Sequence, residues 1–254
     1  MWDPDQYIRY ADLRLRPAID LLTRIELQSP RRIVDLGCGV GNVTQMIANR
    51  WPEAELTGVD SSPEMLSRAR QLPDDIDWIQ ADIATWNPTA PLDLAFSNAA
   101  LHFVDDKHER LLPKLLESVT PGGVLAIQMP RNFGEPSHTL MYEAAREGPW
   151  RDQLQPLLRP TPVAEPEHYY DILVPCTSSL EIWETVYLQI LEGEDPIAEW
   201  TGATWGKPLL EALDDDNRQA YESDYKRRLR AAYPRRSNGT TLFPFRRLFI
   251  VASR

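Results

Sequence analysis

Cysteine is scarce: Cys38 and Cys176 are the two in 254 residues. Two thiols cannot form a disulfide framework, and the four histidines give no spacing for a four-ligand Cys/His metal site. No apolar run approaches the roughly 20 residues that a membrane span needs. The opening MWDPDQYIRYADLRLRP has no basic segment followed by an apolar one, so no secretory leader is expected. Positive charge is in deficit, with 27 Lys and Arg against 38 Asp and Glu, a net charge of −11. Phosphate backbones and anionic lipid surfaces both select basic faces, so neither nucleic acid nor membrane is expected as a partner. Internal repeats and low-complexity tracts are absent too. The expectation is a soluble protein of the reducing cytoplasm.

What is present suffices for a large core. Hydrophobic residues make up 43% and charged residues 26%, values that exclude disorder of the whole chain. Apolar residues at helical spacing predict a helix over 14–25 with Pro17 in its first turn. Arg32–Leu36, Leu56–Asp60, Asp77–Asp82, Leu92–Ser97 and Val124–Met129 read as five strands. Helices are expected between them, over Asn42–Arg50, from Ser61-Ser62-Pro63 onward, and over 107–119 up to Pro121-Gly122-Gly123. This alternation predicts an α/β fold, a Rossmann-like doubly wound and mostly parallel sheet with right-handed crossovers. After Met129 the pattern breaks. A helix over 137–146, an irregular stretch to Pro175, a strand over 180–191 with a helix as the alternative, a helix over 214–233 and a strand over 248–252 are expected. The three acids opening the 214–233 helix and the basic residues closing it match the macrodipole of a solvated helix.

The strongest chemical signal is Asp35-Leu36-Gly37-Cys38-Gly39-Val40-Gly41-Asn42, at a strand-to-helix turn. Glycines there let backbone amides approach a ligand. The spacing is G-x-G-x-G, not the dinucleotide G-x-G-x-x-G, and no Gly-Lys-Ser/Thr follows. Asp35, Asp60 and Asp82 are expected at the ends of strands one, two and three, and so in one crevice. Asp60 suits a ribose. Asp35 and Asp82 would repel a pyrophosphate, so the trio favours a cationic nucleoside such as S-adenosyl-L-methionine over NAD. Any one of the acids, taken singly, reads equally as a helix cap or turn residue.

Five segments together resemble the class I S-adenosylmethionine-dependent methyltransferases: VDLGCGVGN, the stretch Leu56–Leu66 (LTGVD running into Ser61-Ser62-Pro63-Glu64-Met65-Leu66), QADIATW, LAFSNAALHF and PGGVLAIQMP. The resemblance implies a single methyltransferase domain over 1–254. Within it, 32–130 would be the cofactor-binding core, 131–246 mostly helical cap, and 247–254 an antiparallel last strand. It also implies roles. Gly37 and Gly39 would face the methionine part with Asp35 among the cofactor-binding residues, Asp60 would take the ribose hydroxyls with Ser61 and Met65 beside the base, and Asp82 and Ile83 would hold the adenine. Asn98 and Ala99 would lie near the methyl. Asn98-Ala99-Ala100-Leu101 is not the Asn-Pro-Pro-aromatic motif of amide and adenine N-methyltransferases. WDPDQYIRYADLRLRPAIDLL, the Asp60–Leu66 stretch, IQMPRN, HYYDIL and RLFIVASR are similar to one branch of that family, which methylates a carboxylate of a small polycarboxylic acid.

A carboxylate is ionised at neutral pH and needs no base, so placement and water exclusion would dominate. Its companion carboxylates call for arginines. Arg16 and Arg247 fit best, with Tyr7 and Gln128 as neutral donors; Arg14, Arg131 and Arg246 are in reserve. Tyr7, Tyr10 and Trp2 are read as a lid. A hydroxyl or amine of another small metabolite is the alternative acceptor. A hydroxyl or thiol would need a base or a metal, for which His102 is within reach of the methyl, though it reads better as a partly buried loop histidine; His168-Tyr169-Tyr170 reads as a pocket wall. NAD in the same crevice, and binding without turnover, are the remaining alternatives. No metal is expected, and the sequence leaves the oligomeric state open.

Overall fold

The computed structural model describes residues 11–72, 75–104 and 107–254. In chain order it runs α1 (Ala11–Thr23), β1 (Arg32–Leu36), α2 (Asn42–Arg50), β2 (Glu55–Asp60), α3 (Pro63–Ala69), β3 (Asp77–Gln80) and β4 (Leu92–Asn98). It continues with α4 (His108–Glu117), β5 (Val119–Pro130), α5 (Pro136–Glu147), α6 (Arg151–Leu154), α7 (Pro166–Leu173) and β6 (Ser179–Leu191). The last elements are α8 (Pro196–Gly202), α9 (Lys207–Glu211), α10 (Asp215–Ala232) and β7 (Thr241–Ser253).

The strands order as β3-β2-β1-β4-β5-β7-β6. β1, β2, β3, β4 and β5 pair in parallel, and β7 runs antiparallel to β5, from Val124↔Ser253 to Pro130↔Arg247. The chain winds outward from β1 through β2 and β3, then resumes on the other side with β4. The order therefore reverses at β1/β4, where open α/β sheets bind ligands. Ile33, Val34, Leu36, Leu94, Ala95, Phe96, Leu125, Ala126 and Ile127 are all buried. Continuous burial along each strand is what a parallel sheet covered on both faces requires.

Two compact units emerge. One comprises 12–130, 162–185 and 247–254 and contains the parallel strands; the other includes 131–161 and 186–246. The second has its own core, in which Trp150, Trp200, Trp205, Tyr221, Tyr225, Phe243 and Phe245 are buried. Buried phenols there find backbone partners: the Tyr225 hydroxyl donates to the Ser137 carbonyl at 2.6 Å, and that of Tyr221 to the Met141 carbonyl at 3.2 Å. Arg228 on α10 reaches Glu143 (3.6 Å) and Glu147 (2.5 Å) on α5, and Asp224 (2.8 Å) one turn back.

Several boundaries differ from expectation. α1 begins at Ala11, so Pro17 lies inside it rather than in its first turn. The missing N–H costs one bond in a helix that buries Ala18, Leu21 and Leu22. β3 stops at Gln80, which leaves Asp82 in a turn beyond the strand. β5 starts at Val119, ahead of Pro121-Gly122-Gly123. That segment pairs with the end of the chain: Gly122 N donates to Arg254 O at 2.9 Å, and Arg254 N to Gly123 O at 3.1 Å. β7 likewise begins at Thr241, well before 247. α7, α8 and α9, which were not expected, are short helices, each with proline in its first turn.

Candidate active site

The turn after β1 is built from backbone. Gly37 N and Cys38 N donate to the Val59 carbonyl at 2.7 and 3.1 Å, tying the loop to β2. Gly37 has φ +77°, and a Cβ there would lie 2.1 Å from that of Ala100. Gly39 has φ +56°, and its Cβ position faces open space. The loop thus has a packed glycine below and an open one above. Gly41 caps α2 with no side-chain acceptor, so the first amides of that helix are left to other partners. Asp35 is only 2% exposed and accepts from Thr44 Oγ1 at 2.6 Å. Burial pushes its carboxyl up to about 7 against that hydrogen bond, and Asp60 adds a smaller repulsion. It supports the loop from beneath.

Asp60 closes β2 with its two oxygens committed differently: Oδ2 accepts from Gly39 N at 2.9 Å and Oδ1 from Ser62 N at 2.8 Å. Each oxygen keeps a second lone pair, so the half-buried carboxylate is oriented and still able to accept a pair of hydroxyls. Ser62 also caps α3, its hydroxyl accepting from Met65 N at 3.3 Å. Met65 is buried and Ser61 exposed. Asp82, exposed, folds back on Ala84 N through Oδ1 at 2.9 Å. Ile83 is buried, and its Cδ1 lies 3.4 Å from the Cβ position of Gly37.

At the carboxyl ends of β4 and β5, Asn98 and Gln128 are register partners. Asn98 Oδ1 and Gln128 Nε2 are buried with no hydrogen-bond partner among the described residues. Ala99 follows at φ +54°, a left-handed conformation unusual for a residue with a Cβ, and its N–H donates to the Gln128 carbonyl at 2.9 Å. Gln128 Oε1 accepts from Arg247 Nη1 at 3.4 Å; both residues are buried, Arg247 to 4% exposure. One acceptor, one amide donor and one guanidinium therefore sit together at the strand ends.

Of the other expected residues, Arg16 is exposed on α1. Tyr7, Tyr10 and Trp2 lie outside the described residues, as does the side chain of Arg14. Arg131 N donates to the Arg246 carbonyl, and Arg246 pairs with Glu135 at 3.5 Å. His102 is buried with its ring against Phe103, centroids 4.0 Å apart. Two supports, Thr44 and Ser62, differ in how far the sequence shows them. Thr44 was one position in an ordinary helical pattern. Ser62 stood next to Pro63 at a helix start, and that signal was legible.

The fold and the site together define a class of protein. A family model described as a methyltransferase domain matches residues 33–123, and the chain is a methyltransferase. Among solved structures, phosphoethanolamine N-methyltransferase 2 of Haemonchus contortus is similar in fold, with TM-score 0.57 and 16% identity over 94% of this chain and 52% of that one. The plantazolicin methyltransferase BpumL is similar at TM-score 0.51 and 17% identity, over 98% and 85%. Closer relatives are the trans-aconitate 2-methyltransferases. That of Azoarcus sp. is 49% identical, over 100% of this chain and 99% of its own length. Those of Streptomyces avermitilis and Pseudomonas aeruginosa are each 45% identical, over 99% of this chain and 96% and 94% of theirs. The chain belongs to the trans-aconitate 2-methyltransferase family.

Proposed function

We propose that this chain transfers a methyl group from S-adenosylmethionine to one carboxylate of trans-aconitate, giving a monomethyl ester. The observation that carries the acceptor class is the buried Arg247 guanidinium beside Gln128, at the strand end where Asn98 also lies. A buried guanidinium selects an anion, and its fork matches a carboxylate. Family membership over the whole chain supports trans-aconitate as that anion.

The residues fit the methyl donor. Asp60 would accept the ribose hydroxyls through the lone pairs that Gly39 and Ser62 leave. Asp82 would hold the adenine edge through its remaining oxygen, with Ile83 and Met65 against the base and Ser61 at its rim. Gly37 and Gly39 would give the methionine part room above the buried Asp35, and Ala99 and Asn98 would border the methyl. Bound S-adenosylmethionine supplies a methyl whose bond to sulfur breaks as a carboxylate oxygen takes it, the electron pair staying on sulfur. The acceptor is already ionised, with an ordinary pKa of about 4, so no side chain has to remove a proton. Gln128, Arg247 and Asn98 instead orient the acceptor and exclude water, with Arg16 and Tyr7 as further donors.

The net charge of −11 supports a small molecule as partner rather than nucleic acid. Among the described residues no helix is long and apolar enough to cross a membrane. The reading includes a cytoplasmic setting, which the thiols of Cys38 and Cys176 support. The test is transfer of a labelled methyl to a panel of small acids, alcohols and amines, with the product identified by mass. A monomethyl ester of trans-aconitate is expected; transfer to alcohols or amines alone overturns the reading.

A further inference from the structure

The unit that includes 131–161 and 186–246 contains a cavity of about 400 Å³ that the methyl-transfer reading does not use. Phe133, Tyr142 and Trp205 line it, with Arg146 and Arg159. That volume suits a ligand of small-metabolite size. Phe133 and Trp205 pack with centroids 4.8 Å apart at 60°, giving an aromatic wall. The Arg159 guanidinium lies 4.1 Å from the Trp205 ring centroid, and that of Arg146 lies 5.8 Å from the Tyr142 ring. A guanidinium held over a ring keeps its N–H groups for an anion, and Arg159 is held more closely than Arg146.

The charge balance makes this pair unusual. In a protein of net charge −11, neither Arg146 nor Arg159 pairs with a carboxylate among the described residues. The one acid lining the cavity, Glu143, is drawn to Arg228 at 3.6 Å. A third donor stands between the arginines. The Tyr142 hydroxyl accepts from Trp205 Nε1 at 2.7 Å and from Arg159 N at 3.4 Å, so its own proton is left to give. His138, the remaining titratable group of the lining, has Ser137 Oγ 3.0 Å from its Nδ1, and burial keeps it neutral, its pKa down to about 4. It adds no negative charge.

We infer that this cavity binds a planar organic carboxylate, with Arg159 and Arg146 on its carboxylates and the Phe133–Trp205 wall against its flat frame. A planar anion uses both the donors and the wall; a bare inorganic ion uses the donors alone. The inference is independent of trans-aconitate being the methyl acceptor.

The test uses the full chain labelled with 5-fluorotryptophan, the Trp205 ¹⁹F resonance being assigned by its loss in Trp205→Phe. Benzene-1,3-dicarboxylate is the probe, its diamide the neutral control and inorganic phosphate the bare anion. The Trp205 resonance should move saturably with the dicarboxylate and stay put with the diamide. Arg159→Met, which keeps an apolar stem over Trp205, should raise the dissociation constant at least tenfold, and Arg146→Met about threefold or more. Dispersed, native-like ¹⁹F spectra of both variants show that they fold. A silent Trp205 resonance, variants that titrate like the parent, or phosphate binding as tightly as the dicarboxylate would each overturn the inference. Because the readout is binding without a methyl donor, failure of methyl transfer to trans-aconitate leaves it standing.

Discussion

Asp60 and Asp35 are both aspartates at the end of a strand, yet their surroundings give them opposite tasks. Asp60 is held by two amides and keeps free lone pairs, so Asp60→Ala should weaken S-adenosylhomocysteine by about 1.5–3 kcal/mol, as for a charge-assisted hydrogen bond. Calorimetric affinity equal to that of the parent would remove Asp60 from the site. Asp35 is sealed, with a folded pKa of about 7 against the ordinary 3.8. Between those values the folded chain holds a proton that the unfolded chain has lost. Stability therefore falls as pH rises from about 4 to 7 and is level above, by a total of order 4 kcal/mol. Asp35→Asn keeps the shape and abolishes that slope, so urea unfolding should show the variant gaining on the parent from pH 4.5 to 7 and no further. A difference independent of pH would contradict this. The two loop glycines separate in the same way. Gly37→Ala meets Ala100 and should lower the melting temperature sharply. Gly39→Ala should cost about 1–2 kcal/mol of backbone strain and weaken S-adenosylhomocysteine, since its methyl projects into open space. Melting curves with and without the nucleoside distinguish the two.

Among the elements, those with a strong local rule were legible and those held by tertiary contacts were not. β1 and α2 fell where β-branched residues give way to glycines and then to helical spacing. α10 was legible from its charges: Asp214 caps it, accepting from Asn217 N at 2.8 Å, and Arg230 lies in its last turn. α7, α8 and α9 span eight, seven and five residues, too short to show a period. The extent of β5 depends on Arg254, more than a hundred residues away, and no local signal carries that. The site divides along the same line. Asp60 and the glycines were readable from spacing. The Gln128–Arg247 contact follows from the β5/β7 pairing register, and in the sequence only motif likeness groups Arg16 with Arg247. At this scale Arg228, with 16% side-chain exposure, joins α10 to α5 through Glu143 and Glu147 and also pairs with Asp224 on its own helix. Arg228→Ala leaves Glu143, Glu147 and Asp224 facing one another and should cost about 1–3 kcal/mol in urea unfolding at low salt. Adding Glu147→Gln should recover part of that loss; no recovery would mean that packing of the arginine stem, not charge, carries the effect.

For the whole molecule the governing number is the net charge of −11 set against a proposed acceptor, trans-aconitate, that is a trianion. Long-range repulsion opposes their encounter, while a buried guanidinium such as Arg247 rewards contact. Salt acts unequally on the two. The Debye length shrinks from about 30 Å at 0.01 M to about 8 Å at 0.15 M, which erases the distant field and barely touches a buried pair. Raising ionic strength should therefore raise kcat/KM for trans-aconitate by several-fold. The gain should be smaller for a monomethyl ester of the acceptor, which carries one charge fewer. Arg247→Ala should lower kcat/KM for trans-aconitate by about 2–5 kcal/mol and leave S-adenosylhomocysteine affinity near that of the parent, because the lost contact lies with the acceptor. Arg247→Lys should recover little, a point charge being no substitute for a fork. The salt response should survive in Arg247→Ala, since the field belongs to the surface as a whole. If kcat/KM for trans-aconitate instead falls with salt in the parent, and falls less in Arg16→Ala, exposed cations such as Arg16 capture the acceptor and the buried pair is not the main anchor.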